Sequence, residues 1–275
     1  MDIWPLGERT DLAPADYLDS GGAIFATFDA RTQDSGNVSF GVEAGGRRWF
    51  VKTAGDPADL APFLPHDERT ALLANAERLA RSVAHPALPA LNGVVQSAWG
   101  PMLVYDWVFG ELIRTPEARR SDPASAYRRF RGLPLDQLTA AIAAILDLHV
   151  ALCGAGWVAC DFYDGSLIYD FAGRTMRVID LDSYHLGPFT NQMGRLFGST
   201  RFMAPEEFEL GALIDERTTV FNLGRAISVF FGDGDLGRAG FRGDEARHHA
   251  MTQACSVDPA TRFQSVAALA QAWRG

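Results

Sequence analysis

The periodicity of apolar residues changes along the chain, and each change marks a predicted element. Between Ile24 and Thr53, short apolar runs are separated by Ser-Gly-Asn and Gly-Gly, which predicts three antiparallel strands. Residues 67–84 place apolar side chains at helical spacing and stop before a His-Pro pair. Residues 91–108 return to two strand-like runs around a Trp-Gly-Pro turn. The first part of the chain is therefore predicted to form a five-stranded sheet with one helix.

The rest of the chain is predicted to be mainly helical. From Leu135 to Cys153, apolar residues lie on several sides of a helix, which indicates that this helix is buried. His149, inside it, is interpreted as a core histidine and not as a catalytic base. Residues 117–132 are rich in Arg, Ser and Ala without a sustained apolar period, which predicts a mobile surface segment. Short strands are predicted over 157–182, and further helices over 219–231, 244–255 and 265–273.

Composition and charge narrow the expected partners. With 47% apolar and 21% charged residues over 275 positions, one bilobal domain or two tightly packed ones are expected. The net charge of -9 argues against a nucleic-acid partner, because binding to a phosphate backbone needs a basic face. Three cysteines without a CxxC pair indicate neither a disulfide framework nor a zinc site. The N-terminus does not resemble a signal peptide and apolar stretches such as AAIAAIL are short, so a cytoplasmic protein without a membrane partner is expected.

The order of the charged motifs is more specific than their composition. Lys52 ends a predicted strand, Asp161 follows the long helix, Asp180 follows another strand, and Ala-Pro-Glu comes later. This order resembles the protein kinase superfamily, and in particular the eukaryotic-type Ser/Thr kinases of bacteria. The resemblance rests on WFVKT, HPALPAL, LVYDWVFGEL, DFYDGSLIYD, VIDLD, GSTRFMAPEEF and DPATRFQSV.

The resemblance implies a fold and an activity. It implies an α+β, bilobal protein-kinase-like fold over residues 1–275, with a small β-rich N-lobe over 20–109 and a mainly helical C-lobe over 110–275. It also implies an ATP-dependent and Mg²⁺-dependent transfer of phosphate to a hydroxyl group. The segment GSTRFMAPEEF implies a protein acceptor. A small-molecule acceptor is also compatible with the sequence, because the segment from Phe231 to Asp244 is short and rich in glycine and has little room for a helix that docks protein substrates.

The resemblance also assigns roles to individual residues. Lys52 would hold the phosphates of ATP, with Glu77 of the first helix as its partner and Glu68 as the alternative. Asp161 would accept or orient the proton of the attacking hydroxyl, and Asp180 would bind Mg²⁺.

Five further positions complete the predicted site. Gly36 lies in the segment QDSGNVSFGVE, which corresponds to the phosphate-covering loop but lacks GxGxxG, so a simple hairpin turn is an equal alternative. Asp106 and Val108 lie at the hinge position of a nucleotide site. Ser166 and Asp182 would add oxygen ligands to the metal, although Asp182 could instead face water.

The catalytic loop departs from the kinase pattern at several positions. Ala159 and Cys160 replace the usual His-Arg, so no activation through phosphorylation of the activation segment is expected. Tyr163 replaces the loop lysine, and Ser166 replaces the metal-binding Asn. Thr219 stands where kinases have an aspartate that braces the loop, and the bracing network is expected to be altered as a whole.

Three alternatives and two structural expectations follow. A pseudokinase that binds nucleotide without transferring phosphate is the main alternative, a small-molecule kinase is the second, and an unrelated α+β domain with coincidental motifs is the third. Glu206 and Arg262 are predicted to form a buried ion pair, as in kinases. The arginines of RRFRG, residues 128–132, would either meet an anionic substrate or form a solvated basic turn.

Overall fold

The computed structural model describes residues 4–32, 35–59 and 61–275. Met1–Ile3, at the predicted leaderless N-terminus, and Gln33 and Asp34, at the start of the predicted phosphate-covering loop, lie outside the described residues. Within those ranges the chain is a mixed α and β protein with seven α-helices and antiparallel sheets. It divides into two compact units, the first formed by Met1–Ala84 and Pro89–Val108 and the second by His85–Leu88 and Phe109–Gly275.

The first unit contains the predicted five-stranded sheet. Its strands pair in the order β1-β2-β3-β5-β4, all antiparallel, which confirms the prediction of five strands and one long helix. The short helix α1 has only six residues, too few to show a helical period in the sequence. The elements are α1 (Pro14–Asp19), β1 (Ala23–Phe28), β2 (Val38–Ala44), β3 (Arg47–Thr53), α2 (His66–Ser82), β4 (Leu91–Val95) and β5 (Met102–Asp106).

A two-residue turn fixes the register of the central strands. Gly45 and Gly46 connect β2 to β3 with φ values of 60° and 73°, which glycine adopts without the strain that a Cβ atom would cause. With Ala44 opposite Arg47, the ladder places Ser39 opposite Lys52. The turn therefore determines which residues share a face with Lys52.

The two faces of this sheet are covered by different parts of the first unit. On one face, Val42, Trp49 and Val104 form a core with the N-terminal segment, where the indole of Trp4 donates a hydrogen bond to the Tyr17 hydroxyl at 3.0 Å. On the other face, α2 packs through its buried side chains Leu73 and Ala76. They form one cluster with Ala54, which follows β3, and Leu103 of β5.

The second unit is mainly helical with short strands. The strands form one three-stranded sheet in the order β6-β8-β9 and two pairs, β7 with β10 and β11 with β12. The elements are β6 (Glu111–Leu112), α3 (Ala126–Arg131), α4 (Leu135–Gly154), β7 (Trp157–Val158), β8 (Leu167–Asp170), β9 (Thr175–Val178), β10 (His185–Leu186), β11 (Phe189–Thr190), β12 (Leu213–Ile214), α5 (Glu216–Gly232), α6 (Glu245–Ala254) and α7 (Val266–Arg274).

The prediction of a mobile surface segment over residues 117–132 is wrong. The segment contains α3, whose Tyr127 and Phe130 are buried, and the hydroxyl of Ser125 caps the helix by accepting from the backbone N–H of Arg128 at 3.2 Å. The Phe130 ring packs edge-on against Phe230 with the centroids 5.0 Å apart. Two apolar residues three positions apart are too weak a pattern to predict this helix.

Helix α4 forms the centre of the second unit. By length and composition alone it is long and apolar enough to cross a membrane, and it is the one such helix in the described ranges. This differs from the expectation drawn from the short apolar run AAIAAIL. In the structure α4 packs against α5, α7, β7 and β9, and eight of its residues are buried there.

A buried ion pair links two distant segments of the second unit. The Arg262 guanidinium donates to both carboxylate oxygens of Glu206, at 2.6 and 2.9 Å, which confirms the predicted pair. Arg262 also donates to the backbone carbonyls of Ser256, Val257 and Arg217. Because a buried charge is costly unless it is paired and hydrogen-bonded, this pair specifies where both segments lie.

Replacing Arg262 with Met should therefore destabilise the protein by about 3–5 kcal/mol, because Glu206 would be left as an uncompensated buried charge. Urea unfolding would measure the loss, with Arg274→Met, in the exposed pair with Asp147, as the control. The double variant Glu206→Leu/Arg262→Met should be less destabilised than Arg262→Met alone. Strictly additive losses would show that the two charges are not coupled.

Candidate functional site

Lys52 is a buried cation in the middle of the first unit's sheet. It lies on β3, opposite Ser39 of β2 and Leu103 of β5, and only 8% of its surface is exposed. The Ser39 hydroxyl is also buried and has no hydrogen-bond partner in the described part of the chain. A buried ammonium and an unsatisfied hydroxyl on one face of a sheet form a polar spot suited to an anionic ligand.

The glutamates predicted to face Lys52 lie off the buried side of α2. Glu77 forms an ion pair with Arg81, one turn further along the helix, with the carboxylate oxygen 2.9 Å from Nε. Glu68 is exposed. The side chains of α2 that pack against the sheet are Leu73 and Ala76. Pairing of Lys52 with Glu77 thus has no support from the position of Glu77 on the helix.

A residue that the sequence analysis missed is Arg69, which is buried on α2. Its guanidinium donates to the carbonyls of Gly36, Ala54 and Asp56, at 2.5 Å to Gly36 and 3.3 Å to Asp56. It thereby joins the helix to the turn before β2 and to the segment after β3. An arginine inside an otherwise ordinary amphipathic stretch gave no signal in the sequence, because arginine is usually exposed.

Gly36, predicted to contact nucleotide, has a structural reason to be glycine. Its φ is 78°, and a Cβ atom there would lie 2.3 Å from the Pro62 side chain. Its carbonyl is held by Arg69. These contacts are those of a tight turn, which is the alternative interpretation of this segment.

Asp106 and Val108, predicted to lie at a hinge, are at the end of the first unit. The Asp106 carboxylate accepts from the Asn92 amide at 2.9 Å and pairs with Arg47 at 3.2 Å, so it links the two strands that flank β5. Val108 is half-buried.

Aromatic rings lie close to Lys52 in the first unit and were not singled out from the sequence. Phe50 is two residues before Lys52 on β3, which places both side chains on one face. The Phe28 ring lies 5.9 Å from Phe50, and the Trp107 ring lies 4.8 Å from Phe25, measured between centroids. Flat aromatic surfaces of this kind can stack against a planar heterocycle.

Asp161, in the loop that the kinase resemblance assigns to catalysis, has a strained conformation. Its φ is 59°, in the left-handed region that residues with a Cβ atom rarely adopt. The loop is braced from below, because the backbone N–H of Ala159 donates to the hydroxyl of Thr219 at 3.0 Å. Thr219 therefore still braces the loop through a hydrogen bond. The presence of threonine in place of the kinase aspartate was expected to alter the bracing network. A methyl group at Gly198 would lie 3.7 Å from Oδ1 of Asp161, so residue 198 passes close to this carboxylate.

Asp180 and Ser166 meet at one end of the β8–β9 hairpin. Ile179 donates its backbone N–H to the carbonyl of Ser166 at 2.8 Å, one residue before Asp180. Asp180 is also left-handed, with a φ of 61°, and Asp182 is buried two residues later. The Ser166 hydroxyl is buried and has no hydrogen-bond partner among the described residues. A hydroxyl and carboxylates supply oxygen ligands, which a hard cation such as Mg²⁺ prefers.

Asp164, in the same loop, is held by Arg201. The guanidinium of Arg201 lies 3.1 Å from Oδ2 of Asp164 and also donates to the Tyr127 hydroxyl at 3.0 Å. Burial raises the pKa of Asp164, and the charges of Arg201, Arg120 and Arg114 act in the opposite direction. This ion pair ties the loop that contains Asp161 and Asp164 to the segment before Ala-Pro-Glu, a role for Arg201 that the sequence did not predict.

His149 is a core histidine, as predicted. Its Nδ1 donates to the carbonyl of Ile145 at 2.7 Å, so Nε2 accepts from the Tyr184 hydroxyl at 2.8 Å. Complete burial lowers the pKa of His149 to about 4, so it is neutral near pH 7. Burial also raises the pKa of the Cys160 thiol well above its usual range, which leaves Cys160 without nucleophilic character.

Glu207 is a buried acid beside the Glu206–Arg262 pair. Its carboxylate accepts from the backbone N–H of Ala204 at 2.6 Å and from the Asn222 amide at 2.7 Å. Burial raises the pKa of Glu207 to about 7. The Glu207 side chain thus holds this segment in place through hydrogen bonds. The sequence gave no signal that distinguished its role from that of Glu206.

In sequence, no protein family and no curated protein matches the chain to a significant degree. Within the described ranges, no group of three or more His, Cys, Asp or Glu side chains is arranged to hold a metal ion. A metal at the hairpin end would therefore depend on two carboxylates and a hydroxyl.

The raised pKa of Glu207 predicts a pH-dependent effect of Glu207→Gln. The folded protein keeps this proton up to about pH 7, whereas the unfolded chain loses it near pH 4.5, so the stability contributed by Glu207 falls as the pH rises between these values. The free energy of unfolding of Glu207→Gln, relative to that of wild type, should therefore rise by up to about 3 kcal/mol between pH 5 and pH 9.

Denaturant unfolding at both pH values would measure this gain, with the exposed Glu209→Gln as the control. The wild-type curve alone does not suffice, because His149 has the opposite slope, losing stability as the pH falls from 6.5 towards 4. Equal effects of Glu207→Gln at pH 5 and pH 9 would contradict the prediction.

Proposed function

We propose that this protein is a protein-kinase-like phosphotransferase that moves the γ-phosphoryl group of ATP to a hydroxyl acceptor. In this proposal the first unit is the N-lobe and the second unit the C-lobe of a bilobal kinase-like fold. The observation that carries the proposal is the end of the β8–β9 hairpin, where the residue before left-handed Asp180 is hydrogen-bonded through its backbone to Ser166, whose hydroxyl is buried without a partner. Asp161, left-handed as well, begins the loop that leads to Ser166.

Backbone strain at these aspartates supports a functional role. A left-handed conformation costs a residue with a Cβ atom on the order of 1 kcal/mol, and such strain is concentrated at functional sites. Four non-glycine residues in the described ranges adopt it. Two of the four, Asp161 and Asp180, are the positions that the kinase resemblance assigns to proton transfer and metal binding.

The second unit would hold the metal and receive the proton. Asp180, with Ser166 and Asp182, would bind Mg²⁺, which would offset the negative charge of the ATP phosphates. The acceptor oxygen would form a bond to the γ-phosphorus as the bond from that phosphorus to the β,γ-bridging oxygen breaks and ADP leaves. The hydroxyl proton would pass to the Asp161 carboxylate.

The first unit would bind the nucleotide. Lys52 is a rigidly held cation on a central strand, and the Ser39 hydroxyl beside it is available to a phosphate oxygen. The half-buried rings of Phe28, Phe50 and Trp107 would offer an aromatic surface to the adenine base.

A second candidate is a pseudokinase that binds ATP without transferring phosphate. The position of Glu77 favours it, because this carboxylate pairs with Arg81 and not with the sheet face that carries Lys52. Tyr163 favours it as well, because its ring lies over Gly165, where a Cβ atom would approach the ring to 2.3 Å. Tyr163 therefore occupies the position of the loop lysine of the kinase pattern without supplying its positive charge.

Variants of three residues test transfer directly. With Mg²⁺ and ATP, wild type should phosphorylate at least one acceptor from a panel of proteins and small alcohols, and Asp161→Asn and Asp180→Asn should each lower the rate by about 100-fold or more. Lys52→Met should weaken ATP-induced thermal stabilisation. The control is Asp136→Asn, at an exposed position on α4.

The outcomes separate the two candidates. Transfer that is lost in both aspartate variants supports the phosphotransferase. Stabilisation by ATP that Asp180→Asn abolishes, without transfer to any acceptor, supports the pseudokinase. A protein that shows no response to ATP would rule out both.

Ser166→Ala tests the metal site without requiring turnover. Removing a buried hydroxyl that has no partner should leave the stability unchanged or raise it by up to about 1 kcal/mol. The same variant should raise the Mg²⁺ concentration needed for half-maximal stabilisation by ATP by about tenfold, if Ser166 contributes an oxygen ligand. Thermal shift titrations with Mg²⁺ would measure both effects, and an unchanged Mg²⁺ requirement would remove Ser166 from the site.

A further inference from the structure

The catalytic loop carries negative charge and no cation of its own. From Ala159 to Ser166 it contains Asp161 and Asp164 and neither Lys nor Arg. Positive charge reaches it from other parts of the second unit, because the charges of Arg201, Arg120 and Arg114 all act on the Asp164 carboxylate. Of these three guanidinium groups, Arg201 is the one within salt-bridge distance of the Asp164 carboxylate.

Arg201 is occupied by structural contacts. It pairs with Asp164 at 3.1 Å and donates to the Tyr127 hydroxyl, which in turn donates to Asp233 at 2.9 Å. Its backbone carbonyl accepts from Nε of Arg225 at 2.9 Å. Arg201 is thus the ion-pair partner of Asp164, and Arg114 and Arg120 lie beyond salt-bridge distance of that carboxylate.

Arg114 is held beside the loop by its backbone and by an aromatic ring. Its N–H donates to the carbonyl of Asp164 at 3.1 Å, and the preceding Ile113 donates to the carbonyl of Leu167 at 2.9 Å. The guanidinium lies 5.6 Å from the centroid of the Tyr163 ring, within the range of a cation–π contact. Arg114 is exposed, so its charge is accessible to solvent. Tyr163, which it contacts, lies two residues after Asp161 in the loop.

Arg120 is the second of the two arginines that lie beyond salt-bridge distance of Asp164. Its Nε donates to the carbonyl of Thr115 at 3.3 Å, and the residue is half-buried. Between residues 109 and 131, all of which are described, the chain has six arginines, and Arg114 and Arg120 are the two without a carboxylate partner. The other four form ion pairs: Arg119 with Asp122, Arg129 with Glu111, and Arg128 and Arg131 with Asp233.

We propose that Arg114 and Arg120 form a subsite for an anionic group on the acceptor, so that the substrates are hydroxyl compounds carrying a carboxylate or phosphate near the reacting oxygen. This proposal rests on the proposed phosphotransfer function, and it names the substrate class of the same site. Guanidinium groups bind carboxylate and phosphate through charge-assisted, bidentate hydrogen bonds, and neither Arg114 nor Arg120 is engaged in an ion pair with a carboxylate of the protein. An anion bound there would supply the carboxylate or phosphate partner that these two guanidinium groups lack.

Matched acceptors of different charge test the subsite. A serine peptide flanked by Glu would be compared with the same peptide flanked by Gln, and glycerate with glycerol, so that peptide and small-molecule sources of the anion are distinguished. Wild type should prefer the anionic member of at least one couple. In Arg114→Gln and Arg120→Gln, kcat/KM for that member should fall by about tenfold, mainly through KM, while the neutral member changes little.

Arg119→Gln is the matched control, since Arg119 lies in the same segment and pairs with exposed Asp122. Added salt should weaken the wild-type preference and have less effect on the Arg114 and Arg120 variants. Equal losses for neutral and anionic acceptors, or no preference in wild type, would overturn the subsite while leaving phosphotransfer intact.

Equilibrium binding separates failure of the subsite from failure of the proposed function. If wild type transfers phosphate to no acceptor, the fluorescence anisotropy of the labelled Glu-flanked peptide, with unlabelled glycerate as competitor, still reports on the subsite. Binding that is lost in Arg114→Gln and Arg120→Gln and kept in Arg119→Gln would support it without catalysis. Neither peptide binding nor competition by glycerate, in a protein that also shows no transfer, would overturn both proposals.

Discussion

The candidate site of the second unit depends on hydrogen bonds from the buried polar side chains of helix α5. All but the first two residues and Arg225 of this helix are buried, so each polar group that it carries needs a partner inside the protein. Those partners are the loop that contains Asp161 and the segment from Arg201 to Glu207. Neither can shift without leaving a buried donor or acceptor unsatisfied. The contacts join Thr218 to Glu206, Thr219 to Ala159, Asn222 to Phe202 and Glu207, and Arg225 to Arg201.

This anchoring explains how the loop tolerates strain and close negative charges. A left-handed aspartate is unfavourable in an isolated chain, and it persists only where the surroundings determine its conformation. Thr219 fixes the backbone before Asp161, and the ladder between β8 and β9 fixes the approach to Asp180. Arg201 compensates Asp164 within the fold. The remaining carboxylates are held in place ahead of any ligand, which is what preorganised electrostatics requires of a phosphotransfer site.

Sequence periodicity predicted the elements that are long and regular, and missed interactions between residues distant in the chain. The five-stranded sheet and helix α4 follow from spacing and turn residues, and the Glu206–Arg262 pair followed from motif resemblance. Helix α3 was missed because only Tyr127 and Phe130 mark its buried side. Arg69 and Arg201 were missed for a different physical reason. Their roles come from backbone carbonyls and a carboxylate that lie 13 to 37 residues away along the chain, and no local pattern encodes such partners.

The arginines of this protein divide into two groups by whether the fold compensates their charge. Arg69, Arg201 and Arg262 are paired with carbonyls or carboxylates inside the protein, and each joins two segments that are distant in the chain. Removing one would leave an unsatisfied partner, so these three arginines contribute to stability. Arg114 and Arg120 differ, because their backbone or side-chain contacts fix their position while leaving their charge without a carboxylate. A cation that is held in position without a carboxylate partner can still gain free energy by binding an anion. In a chain of net charge -9 the overall field would not favour that anion, so its recognition would depend on local contacts.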